Sequence, residues 1–172
     1  MALSVFVFGI FPALLLAAAI YDLGTYLIPN VISGALVLLF LVYLGVAWVS
    51  GDPVGWRLAG LHFAAGAVAL GLGMGLFALH WIGGGDAKIF ASSCLWLGPV
   101  CAIEYTLTAA MFGGVLTVVL LLLRRFPVPR FLARPWILNL ADPKAGVPYG
   151  VALALGAIAV LPGTDLLLTH VH

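Results

Sequence analysis

Long apolar stretches separated by short polar breaks run along the whole chain. Several of them reach the roughly 20 residues that an α-helix needs to cross a bilayer, whereas barrel strands would show about ten residues of alternating polarity. The pattern therefore predicts an all-α membrane protein with six transmembrane helices, folded as one polytopic domain over residues 1–172. The predicted helices comprise residues 3–21, 31–50, 58–82, 89–103, 106–123 and 147–161.

Two of these helices have alternative interpretations. The apolar run of residues 89–123 is too long for one crossing, so we expect a break at Glu104 and Tyr105, in a stretch where Gly98 and Pro99 favour a turn or an irregular helix end. A secretory signal peptide is the alternative for the first stretch. No Lys or Arg precedes it, however, and its apolar length suits a span, so we interpret it as a retained first helix.

Positively charged loops stay on the cytoplasmic side of a membrane, which tests the helix count independently. Five cations lie between the fifth and sixth predicted helices: Arg124, Arg125, Arg130, Arg134 and Lys144. If this loop is cytoplasmic, a six-helix chain also places residues 22–30 and 83–88 on the cytoplasmic side and both termini outside. Lys88 agrees with this arrangement and Arg57 does not. A five-helix chain would put the cations on the side opposite to those two loops, so we favour six helices.

Apolar side chains are interspersed among the cations of this loop: Phe126, Phe131, Leu132, Trp136, Ile137 and Leu138. Such a mixture suits the lipid headgroup layer. We interpret the loop as a surface anchor, with a substrate-docking ledge as the alternative.

Composition narrows the class of protein further. Hydrophobic residues make up 65% of the chain and charged residues 8%, against about 25% charged residues in soluble domains. The lipid bilayer is therefore the expected environment, and a net charge of +1 gives no support for nucleic-acid binding. Cys94 and Cys101 lie in an apolar stretch, where packing is a better interpretation than a metal site or a disulfide.

Two carboxylates stand out against this composition. Only six acidic residues occur among 172, and Asp22 and Asp86 fall in the two loops expected on one membrane face. A charge at membrane depth costs at least roughly 2.5–3.5 kcal/mol, so each is a candidate functional residue. A hairpin turn for Asp22 and a helix cap for Asp86 are the alternatives. Brought close together, two carboxylates cannot both ionise easily and titrate as a unit, as in aspartic proteases.

Three glycines, Gly83, Gly84 and Gly85, directly precede Asp86. Glycine permits positive φ angles and lets a substrate backbone approach closely. We therefore expect the glycines to form a turn along which a substrate lies, with simple flexibility at the membrane interface as the alternative.

Three motifs in chain order resemble those of a known family. The run from Gly83 to Asp86 resembles the GxGD motif of intramembrane aspartic proteases, and Lys88 extends it to the GxGDxK form of type IV prepilin peptidases. Asp22, followed by Pro29 and Asn30, is similar to the family's first motif. Another three residues are similar to the start of the family's last helix: Pro148, Tyr149 and Gly150.

The resemblance implies that Asp22 and Asp86 are the catalytic pair of an aspartic endopeptidase. Its substrates would be prepilin-like membrane proteins, cut after a glycine just ahead of a hydrophobic helix at the cytoplasmic face of the bacterial inner membrane. The chain length resembles the short Flp/Tad-type peptidases, and no four-cysteine zinc region is present, so we expect no metal or other cofactor. We expect the other motif residues to bind substrate or shape the loops: Gly83, Gly84, Gly85, Lys88, Pro29, Asn30, Pro148, Tyr149 and Gly150.

Three other functions remain open on the sequence. Archaeal preflagellin peptidases share the two aspartate motifs, although the motif at residues 148–150 and the compact length favour the pilin enzyme. A transporter could bind a cation or proton with the same carboxylates, but the predicted spans contain no chain of ionisable groups. A noncatalytic subunit of pilus assembly would be favoured if the two aspartates lay far apart.

Other polar residues receive plainer interpretations. Lys88 stands two residues after Asp86, a spacing that does not face on a helix, so we expect it to bind lipid phosphate or substrate charge rather than Asp86. His62 and His80 lie about five helical turns apart, and we expect both to pack near the membrane interfaces rather than to act in catalysis.

Overall fold

The computed structural model describes residues 5–51, 54–126, 128 and 134–168, with the backbone alone at residues 167 and 168. Its regular elements are α1 (Phe6–Thr25, π-helical over Phe6–Ile10), α2 (Asn30–Val49), α3 (Trp56–Ala78), a helical stretch over Gly84–Leu123, α6 (Pro135–Ala141), α7 (Tyr149–Val160), a 3₁₀ turn (Leu161–Gly163) and α8 (Asp165–Leu168). The predicted helix start at residue 3 and the loop residues Arg130, Phe131 and Leu132 lie outside the described residues.

The helical stretch Gly84–Leu123 is two antiparallel helices. Gly98 has φ 72° and ψ 178°, outside the helical region, and Pro99 follows it. The rings of Phe90 and Tyr105 stack with centroids 5.4 Å apart, although fifteen residues of straight helix would separate them by about 22 Å. The chain therefore reverses at Gly98, and we call residues 84–97 α4 and residues 99–123 α5.

This reversal corrects one predicted boundary. The break expected at Glu104 and Tyr105 lies six residues earlier, at Gly98, and both residues stand within the regular part of α5. The physical reason is that Pro99 has no N–H to continue the helix, while glycine alone adopts the backbone angles of residue 98 without strain. The prediction of an all-α chain with six apolar helices is confirmed within the described residues, and α6 is an additional short helix.

The central helix of the bundle is α4. Every residue from Ala91 to Gly98 is buried, and α3 packs against it through Gly66 and Gly73, where an added methyl group would lie 3.1 Å from Leu95 and 3.0 Å from Ala87. Gly156 of α7 approaches Ala109 of α5 in the same way. Small residues at these crossings let the helix backbones come close, which is how helices associate where lipid is as apolar as the core.

Helix length suits a membrane, and four described helices are long and apolar enough to cross one: Phe6–Thr25, Asn30–Val49, Trp56–Ala78 and Gly84–Leu123. Gly98 divides the last of these stretches into two helices, and of those two only α5 is long enough to span a membrane. The fourteen residues of α4 extend about 21 Å, less than the roughly 30 Å of hydrocarbon in a bilayer. The apolar helix Tyr149–Gly163 is also short.

The connection from α5 to α7 folds back over the bundle. Arg124 donates hydrogen bonds to the carbonyls of Leu140 (2.9 Å) and Gly146 (2.8 Å), and the hydroxyl of Tyr26 reaches the carbonyl of Asn139 at 3.4 Å. No residue of α6 is buried. The short apolar helix α6 therefore lies on the outside of the bundle next to the α1–α2 loop. A headgroup-layer location and the sidedness of the loops stay predictions.

Candidate functional site

Asp22 lies in the last turn of α1 and is 4% exposed. The helix ends at Tyr26, which adopts the left-handed conformation (φ 56°) and donates its N–H to the carbonyl of Asp22. The Asp22 Oδ2 atom accepts a hydrogen bond from the N–H of Gly150, 2.7 Å away at the start of α7. A bond between residues 128 positions apart thus fixes the orientation of this carboxylate.

Asp86 occupies the third position of α4, whose N-cap is Gly83. Its partly buried carboxylate turns back toward Gly83, because a methyl group on Gly83 would lie 3.0 Å from the Oδ2 atom. The third helical position is where the carboxylate of a capping box lies. The helix-cap role considered for Asp86 is therefore compatible with the structure, and the residue also borders a cavity.

Gly83, Gly84 and Gly85 do not adopt positive φ angles, which among the described glycines occur at Gly51 and Gly98. The expectation that a substrate lies along the glycine run stays a prediction. Two of the three glycines belong to the first turn of α4. Their role in the structure is close packing: a methyl group on Gly85 would lie 3.1 Å from Ile28, and one on Gly83 would lie 3.0 Å from the Asp86 carboxylate.

Ile28 connects the two aspartate loops. Its side chain packs against Gly85, next to Asp86, and also against Gly150, which holds Asp22. This packing brings the two aspartate loops to the same end of the bundle. The membrane face on which they lie stays a prediction.

A cavity of about 220 Å³ lies beside Asp86. Apart from Asp86, Thr106 and Tyr149, its lining is aliphatic, phenyl or glycine: Gly73, Leu76, Ile82, Phe90, Ala109, Ala110 and Leu153. Beyond Ala110, α5 continues for thirteen residues, about 20 Å, toward Arg124. The carboxylate thus faces an apolar chamber recessed within the helix bundle.

The predicted motif at the start of α7 shapes this chamber. Pro148 is the buried N-cap residue of α7, Tyr149 lines the cavity, and Gly150 donates to Asp22. A methyl group on Gly113 would lie 2.5 Å from the ring of Tyr149, so Gly113 makes the space that the ring occupies. Sequence reasoning missed Gly113 and the α5 wall of the cavity, for which the small residues of this stretch were the available signal.

The remaining motif residues lie on another face of α4. Lys88 is exposed, and its Nζ atom donates a hydrogen bond of 2.8 Å to the Oδ1 atom of Asn30, the first residue of α2 after the N-cap Pro29. Lys88 and Asp86 do not pair, in agreement with their spacing. Lys88 therefore joins the α1–α2 loop to α4 from the side opposite the cavity.

The two histidines differ from the expectation of interfacial packing. His62 is fully buried, stacks on Phe40 and hydrogen-bonds through Nδ1 to the carbonyl of Leu95 at 2.9 Å. His80 is exposed beyond the end of α3 with φ 61°. The described part of the chain contains no group of three or more His, Cys, Asp or Glu side chains that could hold a metal ion.

Comparison with known proteins identifies one family. The family model described as the type IV leader peptidase family matches residues 9–123, more than half of the chain. The match includes the whole of α2 to α5 and both Asp22 and Asp86. Neither the curated proteins nor the solved structures contain a significant match to the chain.

Proposed function

The chain belongs to the type IV leader peptidase family, and we propose that Asp22 and Asp86 are the catalytic pair of an aspartic endopeptidase. Membership of the family indicates a protease, and the long apolar helices indicate a multi-pass membrane protein. The observation that carries the proposal is that Ile28 packs against Gly85, next to Asp86, and against Gly150, which holds Asp22, so that both aspartate loops lie at one end of the bundle.

The proposed reaction divides two roles between the carboxylates. The ionised member accepts a proton from a water molecule as the water oxygen adds to the scissile carbonyl carbon. The protonated member donates a hydrogen bond to the carbonyl oxygen and stabilises the charge that develops there. Collapse of the tetrahedral intermediate then breaks the C–N bond, and the leaving amine takes a proton from the pair. The backbone hydrogen bond from Gly150 to the Oδ2 atom of Asp22 leaves the other oxygen of that carboxylate for these tasks.

The proposed substrates are prepilins of the Flp/Tad type, cut at the cytoplasmic face of the bacterial inner membrane to release a short basic leader. The resemblance of the motifs and the charge pattern support this assignment. The apolar lining of the cavity beside Asp86 adds a physical reason, because it suits an apolar side chain next to the scissile bond better than a charged one.

Conservative replacement of either carboxylate tests the catalytic roles. We expect Asp22→Asn and Asp86→Asn each to lower the rate of prepilin cleavage at least about a thousandfold, since each removes a group that acts in the transition state. Cleavage of a purified prepilin in proteoliposomes, followed by the shift to the mature pilin on a gel, provides the measurement.

Glu104→Gln is the matched control, because Glu104 is an exposed carboxylate on α5 away from the pair. Near-normal processing by both aspartate variants would refute the proposed roles. Cleavage of a preflagellin but no prepilin would assign the chain to the archaeal-type enzymes. Carboxylate-dependent ion flux into liposomes without cleavage of any leader would favour a transporter.

The cavity makes a separate prediction about substrate selection. We expect Ala110→Leu, which adds bulk to the cavity wall, to raise KM for prepilins with a large apolar residue after the cleaved bond about tenfold, while those with alanine there lose little. Gly114→Leu is the control, because a Cβ added at Gly114 meets no atom within 4 Å and Gly114 does not line the cavity. Equal effects of Ala110→Leu on both substrates would show that the cavity does not select the side chain.

A further inference from the structure

A second cavity lies on the face of α4 opposite to Asp86. It is a groove of about 590 Å³ between α2, α3 and α4, within the range of roughly 300–1,000 Å³ common for small-molecule sites. Its walls include Gly34, Val37, Ala67, Leu70, Ala91 and Leu95. The groove is therefore long, apolar and formed by three different helices.

Polar donors are concentrated at one end of the groove, where Lys88 and Asn30 lie. Lys88 is exposed and bonds to the Asn30 Oδ1 atom, which leaves the amide N–H groups of Asn30 as further donors. Among the described residues, no carboxylate forms an ion pair with Lys88. The mouth of the groove thus carries a positive charge and several donors that suit an anion with more than one acceptor oxygen.

The outer edge of the groove faces away from the bundle. Val37, Phe63 and Leu70 line it and are 40%, 42% and 39% exposed. In a chain that spans a membrane, such exposed apolar side chains contact lipid chains. The groove therefore opens sideways toward the hydrocarbon of the bilayer.

The position of the groove on α4 separates it from the candidate catalytic pair. Lys88, Ala91 and Leu95 follow a helical spacing along one face, whereas Asp86 and Phe90 border the other cavity. A peptide segment in contact with Asp86 would have to pass around α4 to reach Lys88. This separation favours a lipid over the segment of substrate that is cleaved.

We propose that the groove binds one acyl chain of an anionic phospholipid, whose phosphate accepts hydrogen bonds from Lys88 and Asn30. Basic pockets between transmembrane helices are known to recognise acidic lipid headgroups. The bound lipid connects the α1–α2 loop, through Asn30, to the first turns of α4, and so stabilises the relative position of the two aspartate loops.

Retention of lipid by the purified full chain tests this proposal. The protein is incubated in detergent with equal amounts of phosphatidylglycerol and phosphatidylcholine, and bound lipid is counted by native mass spectrometry. We expect Gly34→Leu to prevent binding of both lipids, because Gly34 lines the groove and a Cβ added there meets no protein atom within 4 Å, so the leucine has room to occupy the space of the acyl chain. We expect Lys88→Gln to reduce retained phosphatidylglycerol about tenfold with phosphatidylcholine unchanged, as for loss of one charge-assisted hydrogen bond.

Two variants serve as matched controls. Gly45→Leu adds the same side chain to α2 at a position where an added Cβ also meets no atom within 4 Å but which does not line the groove. Arg57→Gln removes an exposed cation from α3. Both should bind lipid like the parent protein, and circular dichroism should show unchanged helix content for all four variants.

Three results would overturn the proposal. Normal lipid retention by Gly34→Leu would show that lipid binds elsewhere. Normal phosphatidylglycerol retention by Lys88→Gln would show that Lys88 does not hold the phosphate. Unchanged lipid retention together with a raised KM for prepilin in phosphatidylcholine vesicles would show that Lys88 contacts the substrate instead.

Discussion

Glycines lie at both ends of α4, but the polar groups near the two ends have different surroundings. At the first end, Gly83 and Gly85 make room for the loops that carry Asp22 and Asp86, and the Asp86 carboxylate borders an open chamber. At the second end, Gly98 reverses the chain, and buried side chains bond to the backbone carbonyls that precede it. A carboxylate borders a cavity at the first end, whereas backbone carbonyls are bonded inside the protein at the second.

The second end is held by two side chains from distant parts of the sequence. Pro99 has no N–H, so it cannot bond to the carbonyl of Leu95 four residues earlier. The ring of His62 bonds to that carbonyl instead, at 2.9 Å. The hydroxyl of Thr164 lies 3.3 Å and 3.2 Å from the carbonyls of Trp96 and Leu97. Buried carbonyl groups thus gain partners that the interrupted helix does not supply.

This difference indicates that the two ends of α4 have different roles. The Gly98 end gives the bundle its connectivity and stability, and the Gly83 end positions the candidate chemistry. Substitutions at the Gly98 end should therefore lower stability with little effect on the rate at which folded molecules cleave prepilin. Substitutions at the Gly83 end should lower the cleavage rate with little effect on stability.

The largest effect on stability is expected for Gly98→Ala. The backbone angles of residue 98 are accessible almost only to glycine, and the new methyl group would lie 2.7 Å from the His62 ring. We expect a loss of roughly 3 kcal/mol in the free energy of unfolding. Thermal unfolding in detergent can be followed with a thiol-reactive fluorophore, because Cys94 and Cys101 are free and buried.

Gly71→Ala is the control for this prediction, since a methyl group at Gly71 in α3 meets no atom within 4 Å. In the background of His62→Ala, Gly98→Ala should cost less, because the ring that it meets is gone. An unfolding temperature of Gly98→Ala equal to that of the parent protein would contradict the reversal at this residue.

A smaller effect, now on rate, is expected for Gly150→Ala. The methyl group would lie 2.8 Å from the Oδ2 atom of Asp22 and 2.8 Å from Ile28, so the carboxylate must move. Displacement by about 1 Å can reduce a catalytic rate about a hundredfold, and we expect a fall of that order in kcat for prepilin cleavage.

Gly24→Ala is the control, because Gly24 lies in α1 two residues from Asp22 and a methyl group there meets no atom within 4 Å. This variant should cleave prepilin at the normal rate. The unfolding temperature of Gly150→Ala should change far less than that of Gly98→Ala. Full activity of Gly150→Ala would argue against a fixed orientation of Asp22 in catalysis.

The smallest effect is expected for His62→Leu. This change leaves the buried Leu95 carbonyl without its side-chain donor, which costs about 1–3 kcal/mol. The same thermal assay should show a moderate loss of stability, while the kcat of the folded fraction remains near that of the parent. His80→Asn, at an exposed position whose left-handed backbone asparagine tolerates, should change neither quantity. A large fall in kcat with unchanged stability would assign His62 a role in the reaction.

The number of helices followed from the sequence because the bilayer fixes the length of an apolar span, and length is a local property of the chain. The helix boundary at Gly98 was not predicted, although Gly98 and Pro99 were evident in the sequence. The charged Glu104 was the stronger polar signal, yet as an exposed residue it needs no break in the helix. The glycine run was evident as well, but only the structure shows that Gly85 packs against Ile28 and that Gly83 lies next to the Asp86 carboxylate.

The sequence by itself determined the apolar spans and the identity of the candidate carboxylates, and its positive charges predicted that their loops lie on one membrane face. Tertiary structure alone decided that Gly150 holds Asp22, that Lys88 bonds to Asn30 on the far side of α4, and which faces line the two cavities. The physical reason is the bilayer itself. Lipid chains and the protein core are both apolar, so the hydrophobic pattern of a membrane helix does not reveal which face points inward.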